Sequence, residues 1–172
     1  PVASISIAVR PQATGTPTVA FKQTSASVAE LQGAILTGSG ADPEWFDNNA
    51  GVGSSHRKEE PCIYLQNGAR ATLTDCAAID SPGQFGHSEG SYLSMTRCLV
   101  QKHTTGGQYN GAAVTLTDCA LIEFPYEGAP FADADNDGMY LSSGTHSLTA
   151  CLVGWAGDDG IDGGGSGPEL IT

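Results

Sequence analysis

Three aspartates at alternate positions precede a glycine late in the chain. They are Asp133, Asp135 and Asp137, and the glycine is Gly138. Carboxylate oxygens at this spacing, before a residue that allows a sharp bend, are typical of the first half of a calcium-binding loop. The twelfth position of an EF-hand would fall on Gly144, where a bidentate glutamate is required, so a helix–loop–helix site is excluded. Ligands from another part of the chain must complete a calcium site here.

A second acidic group follows, made of Asp158, Asp159 and Asp162. Aligning Asp137 with Asp159, which is 22 residues later (159−137), brings Asp158 and Asp159 beside the first group. All of these ligands are hard oxygens and no His or Cys falls within the group, so the pattern predicts Ca²⁺ rather than zinc or copper. Two alternatives stay open. The acids can simply form tight corners, or two of them can act as a catalytic carboxylate pair.

The segments that must position these side chains form a sequence repeat. The phrase Leu/Met-Thr-x-Cys occurs four times, and an apolar residue stands two places after each cysteine. The four cysteines, here called the cysteine column, are separated by 22, 21 and 32 residues (98−76, 119−98 and 151−119). A spacing of about 20–30 residues with a fixed internal pattern is typical of stacked repeats. The four phrases are Leu73–Cys76, Met95–Cys98, Leu116–Cys119 and Leu148–Cys151.

Short β-type runs alternate with Gly-rich or polar connectors, and helical periodicity is almost absent. The predicted fold class is all-β: a right-handed parallel β-helix, or solenoid, of about five to seven turns. In that arrangement the Leu/Met, Thr and Cys positions each form a column, and Asp75, Arg97 and Asp118 alternate in sign at a corner. A leucine-rich repeat shares the period, but its L-x-x-L-x-L consensus is missing.

The chain is expected to form one β-helix domain over 1–172, with regular turns over 62–165 and irregular turns and a loop before them, over 1–61. A long polar segment near 38–61 interrupts the pattern and predicts a loop inserted into the β-helix. Its tip carries Trp45 and Phe46. Such a loop either carries function or covers a groove or an open end of the stack.

A second phrase, in which a glycine opens a short apolar run, recurs at Gly90, Gly111 and Gly138. If these glycines begin equivalent turns, Glu89 and Asn110 occupy the same column as Asp137. Stacked acidic and amide side chains at one corner would strengthen the prediction of a cation site there.

The cysteine column is expected to consist of small, polarizable core residues that are buried and unpaired. The total of five cysteines is odd, which argues against a complete disulfide framework. No CxxC pair is present to indicate a redox or metal site. Packing is therefore the expected role of these residues.

The amino-acid composition limits the kinds of molecule that the protein can bind. The formal net charge is −12 and Lys and Arg total only 7, so a phosphate-binding groove for nucleic acid is excluded. No apolar run approaches the roughly 20 residues that a membrane-spanning helix needs. The chain begins Pro1-Val2, and we expect a mature or excised segment of a longer protein that is extracellular or displayed at the cell surface.

The Leu-Thr-x-Cys-x-Val phrasing, with Asp-Gly-Ile-Asp entering a turn at Asp159, resembles the right-handed parallel β-helix repeats of the pectate-lyase-like superfamily. It is similar in particular to β-helix segments of secreted bacterial surface proteins. The resemblance covers about 62–165 and implies polysaccharide lyases, hydrolases or adhesins. Polygalacturonase-like hydrolases use clustered aspartates and a glycine-flanked histidine, and the candidates that match here are Asp158, Asp159, Asp162 and His87.

Three functions follow as alternatives. The first is a non-catalytic extracellular scaffold or adhesion module that binds calcium and a polysaccharide or cell-surface glycan. The second is a polysaccharide-active enzyme, a lyase or hydrolase, with a carboxylate site on a lateral face. The third is a structural subunit that forms fibres. Because a bare terminal turn exposes unpaired backbone, an adjoining β-helix segment or a second chain is expected at an open end.

Overall fold

The computed structural model describes residues 8–9, 21–23, 26–37, 61–81, 83–124, 136–163 and 169–171. These residues form β-strands and no helix, so they contain no helical segment that could cross a membrane. In chain order the strands are β1 (Ala8–Val9), β2 (Phe21–Gln23), β3 (Val28–Gln32), β4 (Ile35–Thr37), β5 (Ile63–Gln66), β6 (Arg70–Thr74), β7 (Ala77–Ile79), β8 (Gly86–Glu89), β9 (Tyr92–Thr96), β10 (Leu99–Gln101), β11 (Gln108–Thr117), β12 (Ala120–Phe124), β13 (Tyr140–Thr149), β14 (Leu152–Ala156) and β15 (Glu169–Ile171).

The strands form two parallel sheets. One has six strands in the order β1-β4-β7-β10-β12-β14. The other has the order β2-β5-β8-β11-β9-β6-β3, with β13 beside β11 and β15 beside β13. Strand β11 belongs to both halves of this path because its first residues pair with β8 and its later residues pair with β9. The predicted all-β class with parallel strands is therefore confirmed.

The repeat phrases align as their sequence predicts. Leu73 pairs with Met95, Met95 with Leu116, and Leu116 with Leu148. The threonines that follow them pair in the same order, and the apolar residues two places after each cysteine also form one column. Leu31, in an earlier and less regular part of the chain, pairs with Leu73. The side chain at each position is therefore repeated from strand to strand.

Wherever the chain passes from the larger sheet to the smaller one, it bends at a single residue whose φ angle lies in the left-handed region. The φ angles are between 52° and 63° at the corner formed by Gly33, Asp75, Arg97, Asp118 and Ala150. Four of these residues have a Cβ, for which this conformation is unfavourable. Pairing on both sides of the bend keeps them there. At this corner Arg97 makes two hydrogen bonds to the Asp75 carboxylate, of 2.7 and 3.0 Å, as the alternation in sign predicts.

Apolar side chains from both sheets form one buried cluster. Strand β11 shows why, because its buried residues alternate with more exposed ones along its second half. Val114 and Leu116 of the larger sheet and Val100 and Leu121 of the smaller one have no measurable exposure. The cysteine column extends this cluster toward the corner: three of its members are buried, whereas Cys151 is partly exposed.

The alignment based on Gly138 and Gly111 was wrong. Gln108 pairs with Tyr140, which aligns Gly138 with Gly106 instead. Gly111 aligns with Ser143, since Asn110 pairs with both Glu89 and Ser142. Glu89 and Asn110 therefore lie in a column several residues away from Asp137.

The backbone approaches itself closely at these glycines. A Cβ on Gly106 would overlap the Gly138 carbonyl group, and a Cβ on Gly138 would overlap the Gly160 carbonyl group. The three segments stack with no room for a side chain between them. The glycines are needed for this close approach, and the segment that carries Asp137 is held directly against the segment that carries Asp159.

Candidate metal centre

Three carboxylates come together where the segment before β13 meets the segment after β14. Asp137, Asp158 and Asp159 each offer a carboxylate oxygen, and these oxygens all lie within 4.8 Å of one another. Asp137 is buried, whereas Asp158 and Asp159 are exposed. The predicted pairing of Asp137 with the second acidic group is thus present in the structure.

Backbone hydrogen bonds fix the two segments relative to each other. The Gly138 N–H donates to the Asp159 carbonyl at 2.8 Å, and the Met139 N–H donates to the Gly160 carbonyl at 3.1 Å. The Asn136 carbonyl accepts from the Gly157 N–H at 3.1 Å. The backbone pairing therefore fixes the distance between the two segments that carry the three carboxylates.

The Asp137 side chain is only 3% exposed and accepts a 3.2 Å hydrogen bond from the backbone N–H of Asp159. The backbone carbonyl of Asp137 accepts hydrogen bonds from the Thr105 hydroxyl at 2.9 Å and from the Gly106 N–H at 3.0 Å. Asp137 thus connects three successive segments of the stack, and its buried carboxylate is oriented before any ligand arrives.

Asn136 anchors the same segment from the other side. It is buried, and its amide nitrogen donates to the Thr104 carbonyl at 3.1 Å. Nothing in the sequence pattern indicates this anchoring role of Asn136. The amide's partner is a backbone carbonyl, which leaves no trace in the residue pattern.

These residues fit a hard cation. Calcium binds oxygen ligands at about 2.3–2.6 Å, so two oxygens on one ion lie no more than about 5 Å apart. The spacing within the cluster meets that limit. The two exposed aspartates leave one side open, where water or another oxygen ligand can complete the shell. Within this group there is no His or Cys, the ligands that structural zinc sites mostly use.

Asp162 lies beside the centre but is not part of it. It forms an isolated parallel bridge with Tyr140, its N–H donates to the Met139 carbonyl, and its carbonyl accepts from Leu141. The other two predicted metal ligands, Asp133 and Asp135, lie outside the described residues.

His87 lies on β8, away from the aspartates. Its Nε2 is 3.2 Å from Oε1 of Glu89, and its ring stacks on Tyr64 with centroids 5.4 Å apart. Successive pairings lead from His87 through Gln108 and Tyr140 to Asp162. Three strand spacings separate His87 from Asp162, or about 14 Å. The structure therefore does not assemble His87 and the aspartates into one site.

The loop predicted near 38–61 lies outside the described residues except for its last residue, and so do Trp45 and Phe46.

Comparison with models of protein families, with curated proteins and with solved structures finds no significant match for this chain.

Proposed function

We propose that this protein is a non-catalytic extracellular scaffold or adhesion module, built as a right-handed parallel β-helix of about five to seven turns and stabilised by Ca²⁺. The in-register parallel pairing of the repeat phrases supports the β-helix. The chain passes repeatedly from the larger sheet to the smaller one and back, as successive turns of a solenoid would. The acidic composition and the resemblance to secreted repeats support the extracellular location.

The observation that carries the calcium proposal is the meeting of Asp137, Asp158 and Asp159 within 4.8 Å. Carboxylates this close repel one another, and a divalent cation between them removes the repulsion. The ligands come from two segments that are 22 residues apart (159−137), so one ion would join neighbouring turns. Calcium would then act as a structural cross-link in a stack that lacks disulfides among its described residues.

A glycan is the proposed binding partner. Calcium held on one side by protein carboxylates can accept hydroxyl oxygens on its open side. Trp155, on the strand that leads into Asp158, is 69% exposed and offers an apolar ring with a polar N–H, a combination common at binding surfaces. Both features belong to one end of the described stack.

Calorimetric titration of Ca²⁺ into the full chain tests the metal site. We expect one ion per chain, with binding abolished in Asp137→Asn and in the double variant Asp158→Asn with Asp159→Asn. Asp118→Asn is the matched control because Asp118 is an exposed aspartate outside the cluster. Equal loss in the control variant, or calcium binding that survives in the cluster variants, would overturn the assignment.

A glycan array probed with and without calcium tests the adhesion role. Binding that requires both calcium and Trp155, lost in Trp155→Ala, would support it. Release of reducing sugars or unsaturated products from a bound polysaccharide would instead favour the enzyme alternative. The carboxylate spacing does not match inverting hydrolases, whose two carboxyl groups are about 6.5–9.5 Å apart, and lies closer to the about 5–5.5 Å of retaining hydrolases.

A fibre-forming role is a second candidate. Among the described strands β14 has β12 on one side only, and its Leu152 and Trp155 are 49% and 69% exposed. A sheet edge with apolar side chains is a template for another strand. Sedimentation of the chain over a range of concentrations tests this: growth into long polymers that Leu152→Lys prevents would favour fibres, and a constant monomer would exclude them.

A further inference from the structure

An open groove of about 920 Å³ runs along the corner between the two sheets. All four members of the cysteine column line it, together with Arg97 and the two aspartates that flank Arg97 at the corner. The cysteine column therefore lies at the wall of the groove, with Cys76, Cys98 and Cys119 only 3–4% exposed. This groove is separate from the candidate calcium centre, whose residues do not line it.

The four thiols are stacked in one orientation. The residues that follow the cysteines are Cα partners in three successive pairings, from Ala77 through Leu99 and Ala120 to Leu152. The cysteines must then follow one another at the spacing of neighbouring strands, about 4.8 Å. Each Sγ donates to the carbonyl two residues earlier, at 3.3 Å in three cases and 3.2 Å for Cys119. The side chains are consequently parallel.

Parallel side chains at this spacing do not suit a disulfide. A disulfide needs Cβ atoms about 3.8 Å apart and sulfurs about 2.05 Å apart, with the side chains turned toward each other. All four cysteines are free thiols in the structure. The stacking therefore keeps neighbouring sulfurs close without joining them.

The same spacing suits a soft cation with two ligands in a line. Metal–thiolate bonds are about 2.3 Å long for zinc, so a cation of similar bond length between two sulfurs spans about 4.6 Å. Zinc itself requires four ligands at the corners of a tetrahedron. A straight column supplies only the two sulfurs above and below any gap. Thiolates suit Cu(I), zinc and iron–sulfur clusters, and of these Cu(I) is the one that accepts two ligands in a line.

The central pair, Cys98 and Cys119, is best prepared for ligation. The closeness of the two thiols lowers the pKa of Cys119 and raises the pKa of Cys98. The lowered pKa favours ionisation of Cys119, and the thiolate is the form that binds metals. The pair also has a further cysteine on each side of it, so both sulfurs are kept in register.

We propose that Cys98 and Cys119 bind one thiophilic monovalent cation of the Cu(I) class through two sulfur ligands. The ion takes the place of the thiol protons of the two cysteines, and those protons are released to solvent. No electron is transferred in this step, so neither oxidant nor reductant is required. The site would make the groove a receptor for a soft metal, independent of the calcium centre.

Anaerobic titration of Cu(I) into the full chain, against a chromophoric Cu(I) chelator, tests the proposal. We expect one tightly bound ion, with affinity reduced at least about 100-fold in Cys98→Ser and in Cys119→Ser. Cys62→Ser is the matched control, because Cys62 is buried and does not line the groove. It should bind Cu(I) as tightly as the unmodified chain. Equal losses in all three variants, or no loss in any, would overturn the site.

X-ray absorption on the unmodified, copper-loaded chain tests the ligand set without any substitution that could disturb folding. Two sulfur ligands and no nitrogen support the proposal. Three or more sulfurs, or nitrogen ligands, contradict it. A disulfide between Cys98 and Cys119, recovered by mass spectrometry from protein kept under nitrogen, would also contradict it, because the sulfurs would then not be held apart.

Discussion

The backbone N–H of Asp159 donates a hydrogen bond to the buried carboxylate of Asp137 across 3.2 Å. The two residues are 22 positions apart (159−137), and the bond joins the segment before β13 to the segment after β14. It holds the Asp137 carboxylate in place whether or not a cation is bound. Asp137 therefore has a structural role that can be separated from its role as a metal ligand.

The first prediction separates these roles. In the presence of a chelator, Asp137→Ala should lower the free energy of unfolding by about 1–2 kcal/mol, because the Asp159 N–H loses its acceptor in a partly buried site. Asp137→Asn keeps an acceptor oxygen and should lose less. Urea unfolding of both variants measures the difference. Equal stabilities for the Ala and Asn variants would show that the hydrogen bond contributes nothing.

The second prediction concerns the close stacking of glycines beside the centre. Gly138→Ala should destabilise the protein by at least about 2 kcal/mol, since the new Cβ would overlap the Gly160 carbonyl and lie 2.6 Å from Cγ1 of Val153. Gly160→Ala is the matched control. Its nearest neighbour would be the Val153 carbonyl at 3.7 Å, an ordinary contact. Similar midpoints of unfolding for the two variants would contradict the stacking described here.

The third prediction concerns pH. His103 is completely buried, and burial lowers its pKa from 6.5 to about 4. The unfolded chain therefore takes up a proton on His103 before the folded chain does as the pH falls. Stability is lost progressively between about pH 6.5 and pH 4, by up to about 3 kcal/mol in total.

Urea unfolding at pH 7 and at pH 4.5 measures this loss. The neutral variant His103→Gln should lose less stability than the unmodified chain over the same interval, and the difference between the two isolates His103 from the carboxylates that also titrate. The interpretation fails if the two proteins show the same pH dependence.

The register of the strands was predictable because the Leu/Met-Thr-x-Cys phrase repeats both side-chain size and polarity. Each column then accepts only one alignment, and Leu73, Met95 and Leu116 pair as expected. The alignment that equated Gly138 with Gly111 failed for a physical reason. Gly111 has a φ of 59° and supplies a left-handed corner, whereas Gly138 is required by a close backbone approach. One residue type serves two needs, and the sequence does not distinguish them.

The candidate site was predictable in part. A shift of 22 residues aligned Asp137 with Asp159 because both precede glycine in the same local pattern. The groove beside the cysteine column could not be predicted. It depends on the left-handed corner at Asp75, Arg97 and Asp118, and the residue types at that corner do not indicate how much space it leaves between the sheets. Sequence reasoning therefore assigned the cysteines to packing alone.

The melting temperature in calcium and in chelator tests the central claim most directly. A hundredfold excess of calcium over its Kd should stabilise the unmodified chain by about 2.7 kcal/mol, which raises the melting temperature by about 5–10 °C. Asp137→Asn combined with Asp159→Asn should melt at the same temperature in both conditions, while Asp118→Asn should keep the full shift. An unmodified chain that melts identically with calcium and with chelator would show that the acidic residues only form corners, and the proposed calcium centre would be wrong.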